Sequence, residues 1–319
     1  MNNNIYRKIP SNFHKYKVFQ IDSGASQKIF YKLVSDNKKT FIIIDFNKDK
    51  KEYQNHIKIY NILKDINVSI PKIIEKNDEN LLIITEDFGS LRYDKILDKY
   101  SIFDLLHYAV DTLVEIKRST KYQKNYQLDQ YNFTTFSKEI IELPDYYFPY
   151  IGLDKKNLKD EFLYIWTEAF KKINFNFDSF IHKDFNLNNL ILIPSRKKHL
   201  KCGVIDFQSA FWGESSWDLF SLLEDSRILF SDKFNEEFIK HFFSNIYVNT
   251  SLSDFKLKFY FLNMSRQTRL LGRWIKLAKE KNKDLYLNFI PITKTRITKS
   301  INHINDNNLK NFYKKYIIN

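Results

Sequence analysis

The chain has 319 residues, and its 51 Lys and Arg against 38 Asp and Glu give a formal net charge of +13. Only 6 residues are glycine, which excludes collagen-like and glycine-rich chains and a dinucleotide fold built on a G-x-G-x-x-G loop. A single cysteine, Cys202, excludes a disulfide framework and a cysteine-based zinc site. With 43% hydrophobic residues the chain can bury a core, as one large or two modest domains.

Cellular location and partners are constrained by what the sequence lacks. No apolar run reaches the roughly 20 residues of a membrane span, and the first residues lack the apolar segment of a secretory signal. We therefore expect a cytoplasmic protein with no membrane partner. The positive charge would suit nucleic acid. However, lysine is spread along the chain with Asn, Ile, Tyr and Phe, as compositional drift produces, and we recognise no nucleic-acid-binding motif. We predict no nucleic-acid partner.

The first part of the chain is strand-rich. Runs of β-branched and aromatic residues predict five short strands, and helical spacing predicts one helix between the third and fourth of them. The strands are expected at residues 16–21, 28–34, 40–46, 71–74 and 81–85, and the helix at residues 51–66.

After Gly89 the pattern becomes helical. Ser101 and Asp104 have the spacing of a capping box and predict a helix start, and residues 119–136 are expected to form a loop with at most short structure. Further amphipathic helices are expected at residues 159–172, 218–230, 234–246 and 255–281.

The densest polar group within an apolar surrounding lies at residues 181–193. It reads H-x-D-x4-N, with His182, Asp184 and Asn189, and it runs into a short apolar strand. A turn leads to a second strand that ends at Asp206, in the sequence D-F-Q. A hairpin of these two strands brings Asn189, at the start of one, near Asp206, at the end of the other.

Two carboxylates and an amide make an oxygen-rich site. Mg²⁺ prefers oxygen ligands of this kind, usually one or two carboxylates completed by phosphate oxygens. Phosphoryl transfer needs one Asp to accept the hydroxyl proton, and an Asn and a second Asp to hold the metal. Alone, any of these residues would be read as a cap or turn residue. The combined pattern argues against chance.

The H-x-D-x4-N and D-F-Q motifs, after a strand-rich N-terminal part, resemble the aminoglycoside phosphotransferase family of kinase-like small-molecule kinases. The chain is most similar to the members that phosphorylate N-acetylmuramic acid and N-acetylglucosamine at the anomeric position in cell-wall recycling. The resemblance implies an α+β, bilobal protein-kinase-like fold. A small β-rich N-lobe at residues 1–88 would bind the nucleotide, and a larger, mainly helical C-lobe at residues 89–319 would carry the catalytic loop and acceptor site.

The same resemblance implies ATP and Mg²⁺ as cofactors and gives each motif residue a role. Asp184 corresponds to the catalytic base, and Asn189 and Asp206 correspond to metal ligands. His182 would brace the catalytic loop, and Asp218 would anchor it through hydrogen bonds from the backbone.

By the same resemblance the nucleotide lies in the N-lobe. The adenine would meet the main chain at Glu86, Asp87 and Phe88, at the end of the fifth strand. The D-F-G at residues 87–89 spells a kinase metal motif but precedes the H-x-D loop, so D-F-Q is the equivalent by order. Small residues between the first two strands would approach the phosphates, namely Ser23, Gly24, Ala25 and Ser26.

One position departs from the usual kinase pattern. Kinases carry a third-strand lysine that pairs with the nucleotide phosphates, whereas this strand has Asp45 at about that place. Lys28 and Lys32, on the second strand, are candidates to supply the missing charge, although both would also suit a solvent-facing surface. Glu52 is a candidate for the acid of the N-lobe helix. Ser209 stands where the similar sugar kinases usually have a second Asp.

The acceptor is expected to be a small sugar. Residues 261–300 hold ten basic and two acidic residues, a bias against cationic aminoglycosides. Arg266, Arg269 and Arg273 share one helical face and would suit an anionic acceptor, such as the lactyl carboxylate of N-acetylmuramic acid. Trp212 is a candidate to stack on a sugar ring, although aromatic residues are common enough here for core packing to explain it.

Three alternatives remain open from the sequence. The chain could be a kinase for another small alcohol, of the aminoglycoside, choline or homoserine type. It could be a catalytically silent binding protein, which Asp45 favours and the intact Asp184, Asn189 and Asp206 oppose. A nucleic-acid-binding protein is suggested by charge alone. We expect a monomer.

Overall fold

The computed structural model describes residues 3–21, 27–120, 127–153, 156–225 and 228–318. It contains two compact units, Met1–Thr120 with Leu187–Ala210, and Lys121–Asn186 with Phe211–Asn319. This division differs from the expected boundary after residue 88, because residues 89–120 and the segment 187–210 group with the N-terminal sheet. The lobe boundary at residue 89 stays a prediction.

The first unit is built on a five-stranded antiparallel sheet. Its strands are β1 (Lys17–Ile21), β2 (Ile29–Val34), β3 (Thr40–Asp45), β4 (Ile73–Asn77) and β5 (Leu82–Glu86), in the order β1-β2-β3-β5-β4. The five predicted strands are therefore all present, with ends that differ by at most three residues. Helix α2 (Lys50–Leu63) lies between β3 and β4 in the chain, and its N-cap Asp49 accepts a hydrogen bond from the Glu52 amide.

The two faces of this sheet pack against different elements, as alternating side chains require. One face meets the N-terminal segment, which includes helix α1 (Asn3–Tyr6), and Ile5, Ile9 and Phe13 of that segment join its apolar cluster. The other face carries a second cluster, in which Ile44 and Ile83 pack with α2 residues such as Tyr53.

Helix α3 and a β-hairpin complete the first unit. Helix α3 (Ile102–Ser119) begins at Ser101, whose hydroxyl accepts a hydrogen bond from the Asp104 amide, as predicted. The predicted hairpin is formed by β7 (Leu190–Leu192) and β8 (Cys202–Val204), which pair antiparallel. It lies beside α3, where the Thr112 hydroxyl donates to the carbonyl oxygen of His199 at 3.0 Å.

The second unit is mainly helical, with one small antiparallel pair, β6 (Ser179–Ile181) and β9 (Phe211–Gly213). Its central element is helix α9 (Leu252–Lys281), which is 30 residues long. Between Lys258 and Ile275 only Arg269 and Arg273 of this helix are partly exposed. The helices are α4 (Phe133–Ile140), α5 (Phe148–Tyr150), α6 (Lys156–Lys171), α7 (Trp217–Leu223), α8 (Asp232–Asn245), α9 (Leu252–Lys281), α10 (Ile290–Asn302) and α11 (Asn307–Tyr313).

One prediction for the second unit is wrong in detail. The helix expected at residues 218–230 ends at Leu223, where the chain turns and the buried Glu224 accepts hydrogen bonds from Arg296 and Lys299. Both partners lie about 70 residues further along, so the local apolar spacing could not indicate the end. In the segment expected as a loop with at most short structure, residues 119–136, helix α4 begins near the end, at Phe133, and its N-cap Asn132 accepts a hydrogen bond from the Thr135 amide.

None of the helices formed by the described residues is long and apolar enough to cross a membrane.

Candidate active site

The H-x-D segment of the second unit forms a loop directly after β6. The Asp218 carboxylate, fully buried at the start of α7, accepts hydrogen bonds from the backbone amides of His182 (2.9 Å) and Lys183 (3.1 Å). His182 is itself buried, and its ring packs edge-on against Phe185. These are the contacts expected of an anchor and a brace, and they hold the residues on either side of Asp184.

The backbone of this loop is strained at Lys183. Its φ of 83° lies in the left-handed region, which costs a non-glycine residue free energy and persists where the surroundings hold it. Besides the Asp218 contact, its carbonyl oxygen accepts hydrogen bonds from the Trp217 indole (3.2 Å) and the Ser221 hydroxyl (3.4 Å). Both the backbone amide and the backbone carbonyl of Lys183, immediately before Asp184, are thus held by hydrogen bonds.

The two expected metal ligands come together in the first unit through the hairpin. Ile205 donates its amide hydrogen to the carbonyl oxygen of Asn189 at 3.0 Å. Asn189 therefore lies opposite the residue that precedes Asp206. The φ of Asp206 is 64°, a second left-handed non-glycine backbone, and its side chain is 41% exposed.

A buried lysine contacts the Asp206 carboxylate. Lys28 is 3% exposed, and its ammonium lies 2.8 Å from Asp206 Oδ1 and 3.2 Å from Glu52 Oε1. The Gln208 amide donates to the same two carboxylates, at 3.1 Å to Glu52 and 2.9 Å to Asp206. We call these four residues, Lys28, Glu52, Asp206 and Gln208, the Lys28 cluster.

Next to this cluster lies a buried histidine of α2. The His56 ring packs 4.8 Å from the ring of Phe207 and 5.5 Å from that of Phe46. Burial, helped by the Lys28 ammonium and opposed by Asp206, lowers the pKa of His56 to about 3. His56 is therefore neutral at ordinary pH.

The expected adenine contacts lie at the end of β5. The Asp87 carboxylate is turned into the unit, pairs with Lys32 at 2.8 Å and accepts a hydrogen bond from the Gly89 amide. Burial opposes its ionisation, but these contacts outweigh burial and lower the pKa of Asp87. The Glu86 carboxylate pairs with Arg196 at 2.8 Å, and the Arg196 guanidinium lies over the Phe88 ring.

The expected phosphate-contacting residues Ser23, Gly24, Ala25 and Ser26 lie outside the described residues.

The three arginines of α9 have different surroundings. Arg266 is buried, and the Arg273 guanidinium makes a two-pronged pair with the Glu142 carboxylate. Arg269 makes one long hydrogen bond, 3.3 Å, from Nη1 to Glu139 of α4. Glutamates outside the basic segment therefore offset much of the charge that the sequence count assigns to this face.

Arg269 also lies within electrostatic reach of the expected base. Burial opposes its charge, but Glu139, then Asp184 and Glu142, outweigh burial and raise the pKa of its guanidinium. Its Nε is buried and has no hydrogen-bond partner among the described residues. Arg269 therefore retains donor capacity close to Asp184, whereas Arg273 is committed to Glu142.

Trp212 does not present a ring surface. It is 2% exposed, belongs to β9 and packs edge-on against Phe180. The structure places Trp212 in the core of the second unit. This agrees with the alternative explanation, core packing, which the abundance of aromatic residues suggested. Its expected role in stacking on a sugar has no support in this geometry.

A metal site made only by protein carboxylates is not indicated. Within the described ranges, no group of three or more His, Cys, Asp or Glu side chains is placed to hold a metal ion. One carboxylate and one amide fit Mg²⁺ when phosphate oxygens complete its coordination. The buried amide oxygen of Gln208 has no hydrogen-bond partner in the described part of the chain, as an oxygen open to a cation or water would. The donors present therefore fit a magnesium–nucleotide complex.

Comparison with known proteins decides the family. The model of a family described as "Phosphotransferase enzyme family" matches residues 17–250. The chain belongs to this phosphotransferase family. The enzyme class expected from the motifs is thereby confirmed.

Curated relatives of this phosphotransferase share about a fifth of its residues. An N-acetylmuramate/N-acetylglucosamine kinase of Pseudomonas aeruginosa is 21% identical over 279 residues, which are 84% of this chain and 79% of the relative. A kinase of the same name from Neisseria meningitidis is 21% identical over 286 residues, 84% of this chain and 81% of the relative.

Solved structures of similar fold support the same architecture. The ADP-bound aminoglycoside phosphotransferase APH(2'')-Ib has a TM-score of 0.64 at 15% identity, covering 95% of this chain and all of that one. The choline kinase LicA from Streptococcus pneumoniae has a TM-score of 0.59 at 18% identity, covering 94% and 96%. The expected α+β kinase-like fold, with an N-terminal antiparallel sheet and a mainly helical C-terminal part, is confirmed.

Sequence reasoning gave no role to three side chains of this phosphotransferase. Gln208 belongs to the D-F-Q motif, but the motif does not indicate that its side chain joins Glu52 to Asp206. Arg196 lies in a polar turn, and Glu139 lies in a segment expected to follow a loop. None of them has a local signal, because each is defined by a partner that is distant in the chain.

Proposed function

We propose that this phosphotransferase is an ATP- and Mg²⁺-dependent kinase that transfers the γ-phosphoryl group to the anomeric hydroxyl of N-acetylmuramic acid or N-acetylglucosamine. Family membership supports the small-molecule kinase class, and the names of the curated relatives support the sugar. The observation that carries the proposal is the anchored loop that holds Asp184 five residues before Asn189.

In this proposal Asp184 accepts the proton of the acceptor hydroxyl. The hydroxyl oxygen forms a bond to the γ-phosphorus while the bond from that phosphorus to the β–γ bridging oxygen breaks, and its electron pair leaves with ADP. Asp218 and His182 keep the loop in the strained conformation that precedes Asp184. Asn189 and Asp206 would hold Mg²⁺, which neutralises charge on the phosphate oxygens.

The nucleotide side of the proposal rests on the first unit. The main chain at residues 86–88 follows β5 and would meet the base. Asp87 is turned inward to Lys32, so the backbone of this segment, rather than that carboxylate, is the candidate contact. ATP is proposed in preference to GTP on the family resemblance alone.

The acceptor side rests on Arg269. Arg269 has a buried Nε without a partner among the described residues and lies near Asp184, which suits an acceptor oxygen. The partial offset of its charge by Glu139 is compatible with both the neutral and the anionic amino sugar. We propose that the enzyme is a cytoplasmic monomer and acts in peptidoglycan recycling.

The test is a phosphoryl-transfer screen with N-acetylmuramic acid, N-acetylglucosamine and kanamycin as acceptors. Turnover is measured as the release of ADP. The methyl glycoside of N-acetylglucosamine is the matched control, because it has every hydroxyl except the free anomeric one. We expect turnover of the two amino sugars, loss of their reducing ends and no turnover of the glycoside. Phosphorylation of kanamycin instead would assign the enzyme to another branch of the family.

A further inference from the structure

The register of β2 and β3 separates Lys28 from Asp45. Asp45 lies directly opposite Ile29, and directly opposed residues of an antiparallel pair project to the same face. Ile29 packs in the cluster that includes the N-terminal segment. There Asp45 is 3% exposed, pairs with Lys8 at 2.7 Å and accepts the Asn47 amide hydrogen.

Asp45 therefore does not occupy the place of the missing kinase lysine with the opposite charge. It points to the face away from α2 and is already neutralised there. The residues of β3 on the α2 face carry no charge, since Ile42 and Ile44 both belong to the cluster that packs on α2 and Thr40 is neutral. No cation on that face comes from β3.

The second strand supplies the cation instead. Lys28 immediately precedes β2 and reaches Glu52 of α2 and Asp206 of the D-F-Q segment. Lys32, the other candidate, is used at the end of β5, where it pairs with Asp87. The geometry thus distinguishes two lysines that the sequence left equivalent.

A buried ammonium requires anionic partners, because its desolvation is costly. Lys28 takes them from Glu52 and from Asp206, the carboxylate that our proposed function gives to the metal. A divalent cation on Asp206 would compete with the Lys28 ammonium and be repelled by it. Nucleotide phosphates would remove this conflict, since they offer Lys28 new anionic partners.

We propose that Lys28 is both the phosphate-binding lysine, moved from the third strand to the second, and a placeholder on Asp206. Without nucleotide it keeps Asp206 paired and keeps free divalent cations away. When a magnesium–nucleotide complex binds, Lys28 exchanges Asp206 for the phosphates and retains Glu52. This inference rests on the proposed function, and it makes metal binding depend on nucleotide binding.

The test measures binding rather than turnover. Binding of Mn²⁺ without nucleotide, and of ATP with Mg²⁺, is followed by calorimetry for the wild type, Lys28→Met and Lys17→Met. Lys28→Met keeps an apolar side chain of similar length, and Lys17→Met, at an exposed lysine of the neighbouring strand β1, is the matched control. For Lys28→Met we expect Mn²⁺ to bind at least tenfold more tightly and Mg·ATP at least tenfold more weakly than to the wild type. The control should change neither by more than about threefold.

Two results would overturn the inference. One is unchanged Mn²⁺ and Mg·ATP affinity in Lys28→Met, and the other is micromolar Mn²⁺ binding to the nucleotide-free wild type. The second measurement needs no variant, so it decides the matter even if Lys28→Met does not fold. If the wild type phosphorylates an amino sugar while either result is found, only the inference fails. If the wild type neither binds Mg·ATP nor phosphorylates an acceptor, the proposed function itself fails.

Discussion

Gly272 of α9 lies directly against the backbone of Glu142. A methyl group on its α-carbon would stand 1.9 Å from the Glu142 carbonyl oxygen and 2.8 Å from the Leu143 amide nitrogen. The next residue of α9, Arg273, pairs with the Glu142 side chain. This close approach therefore joins α9 to the segment at residues 142–147.

We expect Gly272→Ala to destabilise the protein. In an exposed helix the change from glycine to alanine stabilises by about 1 kcal/mol, but here the added carbon meets backbone that cannot rotate away. A loss of about 1–3 kcal/mol or more is expected, measured by urea unfolding. Lys279→Ala, at an exposed position of the same helix, should be nearly neutral. A more stable Gly272→Ala protein would contradict the close contact.

Asp184→Asn should lower turnover by about 10²–10⁴, the usual loss when a general base is removed. The affinity for Mg·ATP should stay within a few-fold of the wild type, because Asp184 is proposed to act on the acceptor proton. Asp160→Asn, an exposed carboxylate on α6, is the control for the loss of one negative charge. A near-wild-type rate for Asp184→Asn would remove this residue as the base.

Asp218→Asn should loosen the catalytic loop. The carboxylate accepts from two backbone amides, whereas an amide side chain turns an N–H toward one of them. One buried N–H left unsatisfied costs about 1–3 kcal/mol. We expect faster hydrogen exchange at His182 and Lys183, together with a lower kcat. Unchanged exchange at both amides would show that the loop does not depend on this anchor.

Arg269→Gln should raise KM for the acceptor by about tenfold or more, the effect of one hydrogen bond from a charged donor. The KM for ATP should stay unchanged. Arg273→Gln is the matched control, because its guanidinium is committed to Glu142 and should not affect the acceptor. If Arg269 binds the lactyl carboxylate, KM rises more for N-acetylmuramic acid than for N-acetylglucosamine. An equal change in both variants would exclude Arg269 from the acceptor site.

The lowered pKa of the buried His56 predicts that the folded protein loses stability in acid. Its pKa is about 3 in the folded protein against an ordinary 6.5, so between these values the unfolded chain binds a proton that the folded chain does not. This stabilising contribution is complete above about pH 6.5 and falls by about 1.4 kcal/mol per pH unit below it.

The measurement for His56 compares the wild type with His56→Gln by urea unfolding at pH 7.5 and 5.5. Carboxylates with lowered pKa, such as Asp254 and Asp306, also lose stability in acid, but they do so equally in both proteins. The free energy of unfolding should therefore fall more for the wild type than for His56→Gln. Identical pH dependence would show that His56 is not buried in neutral form.

The sequence by itself determined the features that depend on local spacing. Runs of β-branched and aromatic residues located the five strands, and two apolar runs joined by a turn predicted the hairpin that brings Asn189 near Asp206. The H-x-D-x4-N and D-F-Q motifs are likewise short and continuous, so they indicated a phosphotransferase before any contact was known. Capping by Ser101 is local for the same reason.

Only the tertiary structure decided which partner each charged side chain takes. Lys28 and Asp206 are 178 residues apart, Arg269 and Glu139 are 130 apart, and no local period links such pairs. The same holds for Asp45, because its face depends on the register with β2. Coulomb energy and burial act through space, so the charge count of a segment cannot show which charges remain open to a ligand.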